Sequence, residues 1–132
     1  GIPSSAKRIT VMFNGVSGSG SSPFLIQIGS GSVTTSGYSS EAQHAGTATS
    51  SSAGFILYDG SSAGYTYSGI VIISLITSNT WVSSGVLSLL GTSVGLSAGN
   101  SSNLSGALDR VRITTVNGTD TFDAGTINIS WE

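Results

Sequence analysis

Asp109-Arg110-Val111-Arg112-Ile113-Thr114-Thr115-Val116-Asn117-Gly118-Thr119-Asp120-Thr121-Phe122-Asp123-Ala124-Gly125-Thr126-Ile127-Asn128-Ile129-Ser130-Trp131-Glu132 ends the sequence and decides its fold class. Asn-Gly between two β-rich runs is the strongest short-range hairpin signal, because a type I′ turn needs positive φ at both central residues. Such a hairpin places Val116 opposite Thr119, Thr115 opposite Asp120, Thr114 opposite Thr121, Ile113 opposite Phe122 and Arg112 opposite Asp123. Alternation then puts Val111, Ile113 and Phe122 on a core face. Arg112 and Asp123 meet on the solvated face, an exposed pair contributing at most about 1 kcal/mol. Beyond a turn at Asp123-Ala124-Gly125, the last strand turns Ile127, Ile129 and Trp131 inward and Thr126, Asn128 and Ser130 outward. The expectation is three strands of one half-buried antiparallel sheet.

The 132 residues fit one domain, enough to bury about two-thirds of the unfolded chain's surface. With no cysteine, disulfides, thiolate metal sites and cysteine nucleophiles are excluded. Only 8% of residues are charged, so solubility rests on hydroxyls and backbone. Serine and threonine make up roughly a third of the chain, beside 19 glycines, far above average usage. Such a bias accompanies disorder only where β-branched and aromatic residues are scarce, and here they recur in regular short runs. A net charge of −2 with four basic residues argues against nucleic acid, whose phosphates demand a basic footprint. No apolar run approaches 18 residues and no signal peptide opens the sequence, so no membrane insertion is expected.

Gly1-Ile2-Pro3-Ser4 starts abruptly, as a cut from a longer polypeptide would. Lys7 to Phe13 reads as a strand with Ile9, Val11 and Phe13 on one face, closed by Asn14-Gly15, and Val16 to Pro23 reads as a loop. Phe24 to Ile28 is a second strand. Between Gly29 and Gly54 the pattern supports only a short strand near Ser32 to Thr35, followed by long connections. Phe55 to Tyr58 is a strand ending at Asp59-Gly60, and another runs from Tyr65 into Ile70-Val71-Ile72-Ile73-Ser74-Leu75-Ile76. That last run is apolar on both faces, which marks a central strand or one whose outer face meets another subunit. Trp81 to Leu90 returns it, and Gly91 to Asn103 reads as a long polar loop. Strands at intervals of about 8 to 12 residues, with no helix worth naming, give an all-β fold: an antiparallel β-sandwich, jelly-roll-like, in a single domain 1–132.

Motifs for catalysis are weak. Gly95-Leu96-Ser97-Ala98-Gly99 matches the G-x-S-x-G elbow, which requires a strand before it and a helix after it. A chain this rich in glycine and serine produces the match by chance. His44, the single histidine, cannot build a multi-ligand zinc site and reads as an exposed loop residue. Asp120 and Asp123 fall on opposite faces of the expected hairpin, which makes them poor partners for glycoside hydrolysis. Asp59 or Asp123 with backbone carbonyls is the one calcium option. Sequons at Asn100, Asn103, Asn117 and Asn128 matter only in a eukaryotic secretory protein. The expectation is a non-enzyme with no catalytic residue, no metal and no cofactor.

What remains is aromatic and polar: Tyr38, Tyr58, Asp59, Tyr65, Tyr67, Trp81 and Asn100, at strand edges or beside polar loops. Amphipathic rings beside amides and hydroxyls suit sugar binding, because ring faces stack and sugar hydroxyls need hydrogen-bond partners. The alternative is that the tyrosines cap the core of a sheet.

The chain resembles the C-terminal domain of tailed-bacteriophage tail fibres and related receptor-binding fibre proteins. The resemblance rests on Gly1-Ile2-Pro3-Ser4 followed by Ala6-Lys7-Arg8-Ile9-Thr10-Val11-Met12-Phe13-Asn14-Gly15-Val16-Ser17, on Ile26-Gln27-Ile28-Gly29 and Thr35-Ser36-Gly37-Tyr38, and on Leu104-Ser105-Gly106-Ala107-Leu108-Asp109-Arg110-Val111-Arg112-Ile113 with the terminal segment. It covers both ends and thins in the middle. Ser5, where such proteins carry an aromatic, and Trp131-Glu132 in place of Tyr-Glu depart from the pattern. The resemblance implies the C-terminal tip of a longer fibre, working on the virion outside the cell. It further implies a homotrimer that attaches to the bacterial host through a surface glycan or outer-membrane receptor. The rival expectation is a structural trimerisation, capping or virion decoration domain that binds no host ligand. A fragment of a polysaccharide-degrading tailspike ranks third, for want of paired carboxylates.

Overall fold

A computed structural model covers residues 1–132 and contains eleven strands: β1 (Arg8–Gly18), β2 (Phe24–Ser30), β3 (Ser32–Val33), β4 (Tyr38–His44), β5 (Thr47–Ser51), β6 (Phe55–Ile56), β7 (Tyr67–Thr77), β8 (Thr80–Leu89), β9 (Ser93–Ser101), β10 (Arg110–Thr115) and β11 (Phe122–Trp131). All pairs are antiparallel. A seven-stranded sheet has the order β11-β1-β7-β8-β9-β4-β5, and a small sheet has the order β10-β2-β3 with β6 also on β2. The fold is an all-β antiparallel sandwich, as the strand spacing predicts. No helix is long and apolar enough to cross a membrane.

Alternation builds the core. Ile9, Val11 and Phe13 of β1, Val71 and Ile73 of β7, and Trp81, Leu87 and Leu89 of β8 point inward against Phe24, Ile26 and Ile28 of β2. Edge-to-face rings lock the layers, with Phe24 centred 5.2 Å from Tyr67 and 4.9 Å from Phe122. A smaller cluster of Leu25, Ala42 and Ile56 lies beside it.

The terminal hairpin is corrected. β10 pairs with β2, setting Ile113 opposite Ile26 and Val111 opposite Ile28, while β11 pairs with β1, setting Ile127 opposite Phe13 and Ile129 opposite Val11. Each strand therefore finds an aliphatic partner in a different sheet, and one hairpin would leave both partners' edges bare. Asn117-Gly118 carries the chain across the sandwich. Gly118 has φ +68°, Asn117 does not enter the left-handed region, and the Asn117 side-chain oxygen accepts from the amides of Thr119 and Asp120 at 3.0 Å. Arg112 accordingly donates to Gln27 (2.8 Å from Nε) and Asp123 accepts from the Ser17 hydroxyl at 2.5 Å, so the expected ion pair does not form. Ile127 and Ile129 do pack on the core, but Trp131, on the outermost strand, stays half exposed.

Three further expectations change. Asn14-Gly15 does not close β1: Gly15 takes φ +64° in a bulge, and the strand continues to Gly18. The segment read as long connections holds β4 and β5, joined by Ala45-Gly46 with φ +46° and +84°, a two-residue I′-like turn. The polar loop Gly91 to Asn103 is largely β9, an internal strand between β8 and β4.

β9 was hidden because its pattern is inverted. Gly95, Ser97 and Gly99 face inward, and Val94, Leu96 and Ala98 face outward. The glycines make room: a Cβ on Gly95 would stand 2.5 Å from the Tyr58 ring, and one on Gly99 would stand 2.8 Å from the Ser40 Cα. On the outer surface Met12, Ile70, Val86 and Leu96 are cross-strand partners in one row over β1, β7, β8 and β9. Ile72, Val94 and Ala98 flank that row, and no second layer covers it.

Candidate functional site

Four of the seven candidate residues converge at one end of the sandwich, where the 57–66 loop enters β7. Leu57 and Tyr58 turn inward as the chain leaves β6, and the Tyr58 ring lies over Gly95 with its hydroxyl 2.7 Å from Ser93 Oγ. Tyr67 packs 5.1 Å from Tyr58 and donates to the Gly60 carbonyl at 3.0 Å. Its burial pushes the phenol up to about 12, so the ring is neutral. Tyr65 meets Tyr67 edge-on at 6.4 Å and is 42% exposed.

The fifth member of this end is His44, at the tip of the β4–β5 hairpin. It stacks on Tyr58, ring centres 4.8 Å apart, and its Nδ1 contacts the Asp59 carboxylate. The side chain of Asp59 is only 1% exposed, and that of His44 is 30% exposed. A buried carboxylate without a partner is costly, so the imidazole secures Asp59 and the hairpin together. A carboxylate only accepts; Nδ1 therefore carries the proton toward Asp59, and Nε2 is the ring's free position. His44 is thus half-buried and paired, not the exposed loop residue its sequence context implied. Asp59 is occupied by it and does not face a solvent cation. No group of three His, Asp or Glu side chains converges as a metal site.

A second feature is a shallow groove of about 350 Å³ lined by Tyr38, Ser39, Ser40, Glu41, Ser50, Ser51 and Ser52. Hydroxyls and one carboxylate dominate it. Asn100 is the cross-strand partner of Ser39 and stands exposed beside it. Tyr38 itself is buried: its hydroxyl accepts from the Ile28 amide (2.9 Å) and has the carbonyls of Thr34 (3.0 Å) and Ile28 (3.2 Å) as acceptors for its one proton, pegging the two sheets together. Burial raises its pKa.

The aromatic candidates therefore divide. Tyr65 and Asn100 reach solvent. Tyr38, Tyr58, Tyr67 and Trp81 are buried, and their rings have no free face for a sugar. Trp81 sits in the core with its backbone amide donating to Ser101 Oγ at 3.1 Å and its indole N–H unpartnered. Sequence reasoning passed over His44 and the groove serines; the alternation of Tyr38, Ser40 and Ala42 against Ser39, Glu41 and Gln43 was the available signal for β4. The G-x-S-x-G segment lies within β9 and has no strand-to-helix turn.

No family model matches the chain, and neither a curated protein nor a solved structure matches it. The site's chemistry is therefore read from its geometry: an imidazole edge, one tyrosine face and loop backbone at one place, and a hydroxyl-rich groove at another. Both arrangements offer hydrogen bonds to a polyhydroxylated ligand.

Proposed function

We propose that this chain is the receptor-binding tip of a phage tail fibre, attaching the virion to a bacterial surface glycan or outer-membrane receptor and acting as a homotrimer outside the cell. The observation that carries the reading is the solvent-facing set of Tyr65, on the loop that enters β7, with His44 and the serine groove on the β4–β5 hairpin. A stacking ring, an imidazole hydrogen-bonding edge and clustered hydroxyls are what sugar recognition uses. Threefold assembly is supported by the width of the outer apolar row. Four strands at about 4.8 Å span about 19 Å, and three such faces around an axis each lie about 5 to 6 Å from it, half the ~10 Å at which sheets stack.

The structural reading, a cap or decoration domain, is favoured by one observation: four of the candidate rings are spent on the core. Binding of the labelled protein to a panel of bacterial surfaces separates the two. The receptor reading expects saturable, strain-selective binding, competed by that strain's polysaccharide and lost in Tyr65→Ala with an unchanged melting temperature. Binding to no strain in a broad panel favours the cap.

A further inference from the structure

We propose that the outer face of the seven-stranded sheet is the surface on which this chain packs against further copies of itself. The inference rests on the assembly half of the reading above and assigns its interface.

The first argument is composition. β7, β8 and β9 form three adjacent strands in the middle of the sheet without a single charged residue. Their outward side chains include Ile70 at 50% exposure and Leu96 at 61%, joined by Ile72, Val86 and Val94. Isolated exposed aliphatics are ordinary, but a contiguous set in one register over neighbouring strands marks an interface.

The second argument selects the occupant. A surface that docks on its own copy must be complementary to itself, and an uncharged apolar surface meets that condition without any matching of charges. The nearest charges are on the flanking strands, where Arg8 already pairs with Glu132 at 2.8 Å and Glu41 of β4 is the cross-strand partner of Ala98. A differing partner would have no charge here to recognise, whereas apolar and hydroxyl groups match their own kind.

The third argument is size. The four strands of the apolar row, about 4.8 Å apart and over about eight residues of about 3.3 Å, present roughly 500 Å² of projected surface per chain, and two such faces make the ~1,000 Å² at which specific interfaces begin. The sandwich core does not require these side chains, since the inner face is closed by the small sheet.

The test is light scattering on the full chain over a dilution series, with far-UV circular dichroism on each variant. Wild type should give a multiple of 13.2 kDa, and Leu96→Glu or Ile70→Lys should give 13.2 kDa with an unchanged spectrum. Val116→Glu, at an exposed apolar residue off this face, should keep the wild-type mass. Because the chain has no cysteine, Ala98→Cys and Val116→Cys add an independent readout, and a short bis-maleimide should join chains only through position 98. A wild type that is monomeric throughout, or an oligomer that survives both Leu96→Glu and Ile70→Lys, overturns the proposal. So does cross-linking through position 116 and not 98. A two-chain mass lost in Leu96→Glu upholds the face and removes only the threefold count, while cell binding tests receptor recognition separately.

Discussion

On its inner side the seven-stranded sheet sets Val11, Val71, Ile73, Trp81 and Leu87 against a second layer; on its outer side Ile70, Ile72, Val86 and Leu96 meet solvent in the single chain. β9 sharpens the contrast, because it spends glycines on the side where a core strand places aliphatics and aliphatics on the side where an ordinary strand places polar groups. The inner positions are small because the Tyr58 ring lies over Gly95 and the adjacent β4 backbone crowds Gly99. The outer positions are apolar with nothing in the chain above them. Burial within the chain thus accounts for one face, and the self-association proposed above would account for the other.

The largest effect expected from this contrast is at Trp81. Trp81→Ala empties the inner face and should cost about 3–5 kcal/mol in urea unfolding, whereas Ile72→Ala, measured in the Leu96→Glu background, should cost under about 0.5 kcal/mol. Equal costs at the two positions in that background break the contrast. Next is Gly95→Ala, whose methyl would press on the Tyr58 ring and should cost about 1–3 kcal/mol. Tyr58→Leu should relieve part of that cost in the double mutant; strictly additive losses would show that the ring is not what the glycine accommodates.

The inner face should also respond to alkali. Folding raises the Tyr67 phenol from 10.0 to about 12, so the neutral form is favoured in the native state. Its contribution is intact below about pH 10 and is lost as pH rises toward about 12. Unfolding followed by tyrosinate absorbance should fall in that window, and Tyr67→Phe should shift it upward. A Tyr67→Phe chain with the same alkaline midpoint would remove this residue from the account. The smallest effect lies at the β4–β5 turn. Ala45 sits at φ +46°, where asparagine is tolerated better, so Ala45→Asn should stabilise by about 0.5–1 kcal/mol in thermal unfolding. Destabilisation instead would show that the turn relaxes out of the left-handed region.

These same residues explain what was legible. Ile9-Thr10-Val11-Met12-Phe13 and Phe24-Leu25-Ile26-Gln27-Ile28 alternate cleanly, and their faces follow directly. The doubly apolar β7 reads as a central strand or one with an outer subunit contact, and it does lie inside the seven-stranded sheet, between β1 and β8. Asn117-Gly118 misled because turn chemistry states that the chain bends, not which strands then pair; partner choice was fixed by β1 and β2, more than 80 residues earlier in the sequence. Ala45-Gly46 carried almost no signal, since alanine is not a left-handed residue by preference. β9 was illegible because glycine at inward positions erases the alternation on which strand recognition depends. At the candidate site, Tyr58, Asp59, Tyr65 and Tyr67 are near neighbours in sequence and in space. His44 joins them only through the β4–β5 hairpin, and whether a tyrosine caps a core or faces a ligand depends on which layer lies above it.

Oxidation of Met12 gives the most direct test of the outer face. It is the chain's single methionine, the cross-strand partner of Ile70 at one end of the apolar row. Peroxide converts an accessible thioether to the sulfoxide, and the rate can be followed by mass spectrometry at several protein concentrations. The account predicts slow oxidation in the assembled protein, acceleration on dilution, and fast oxidation at every concentration in Leu96→Glu. A rate that is the same in wild type and Leu96→Glu, and independent of concentration, would contradict it.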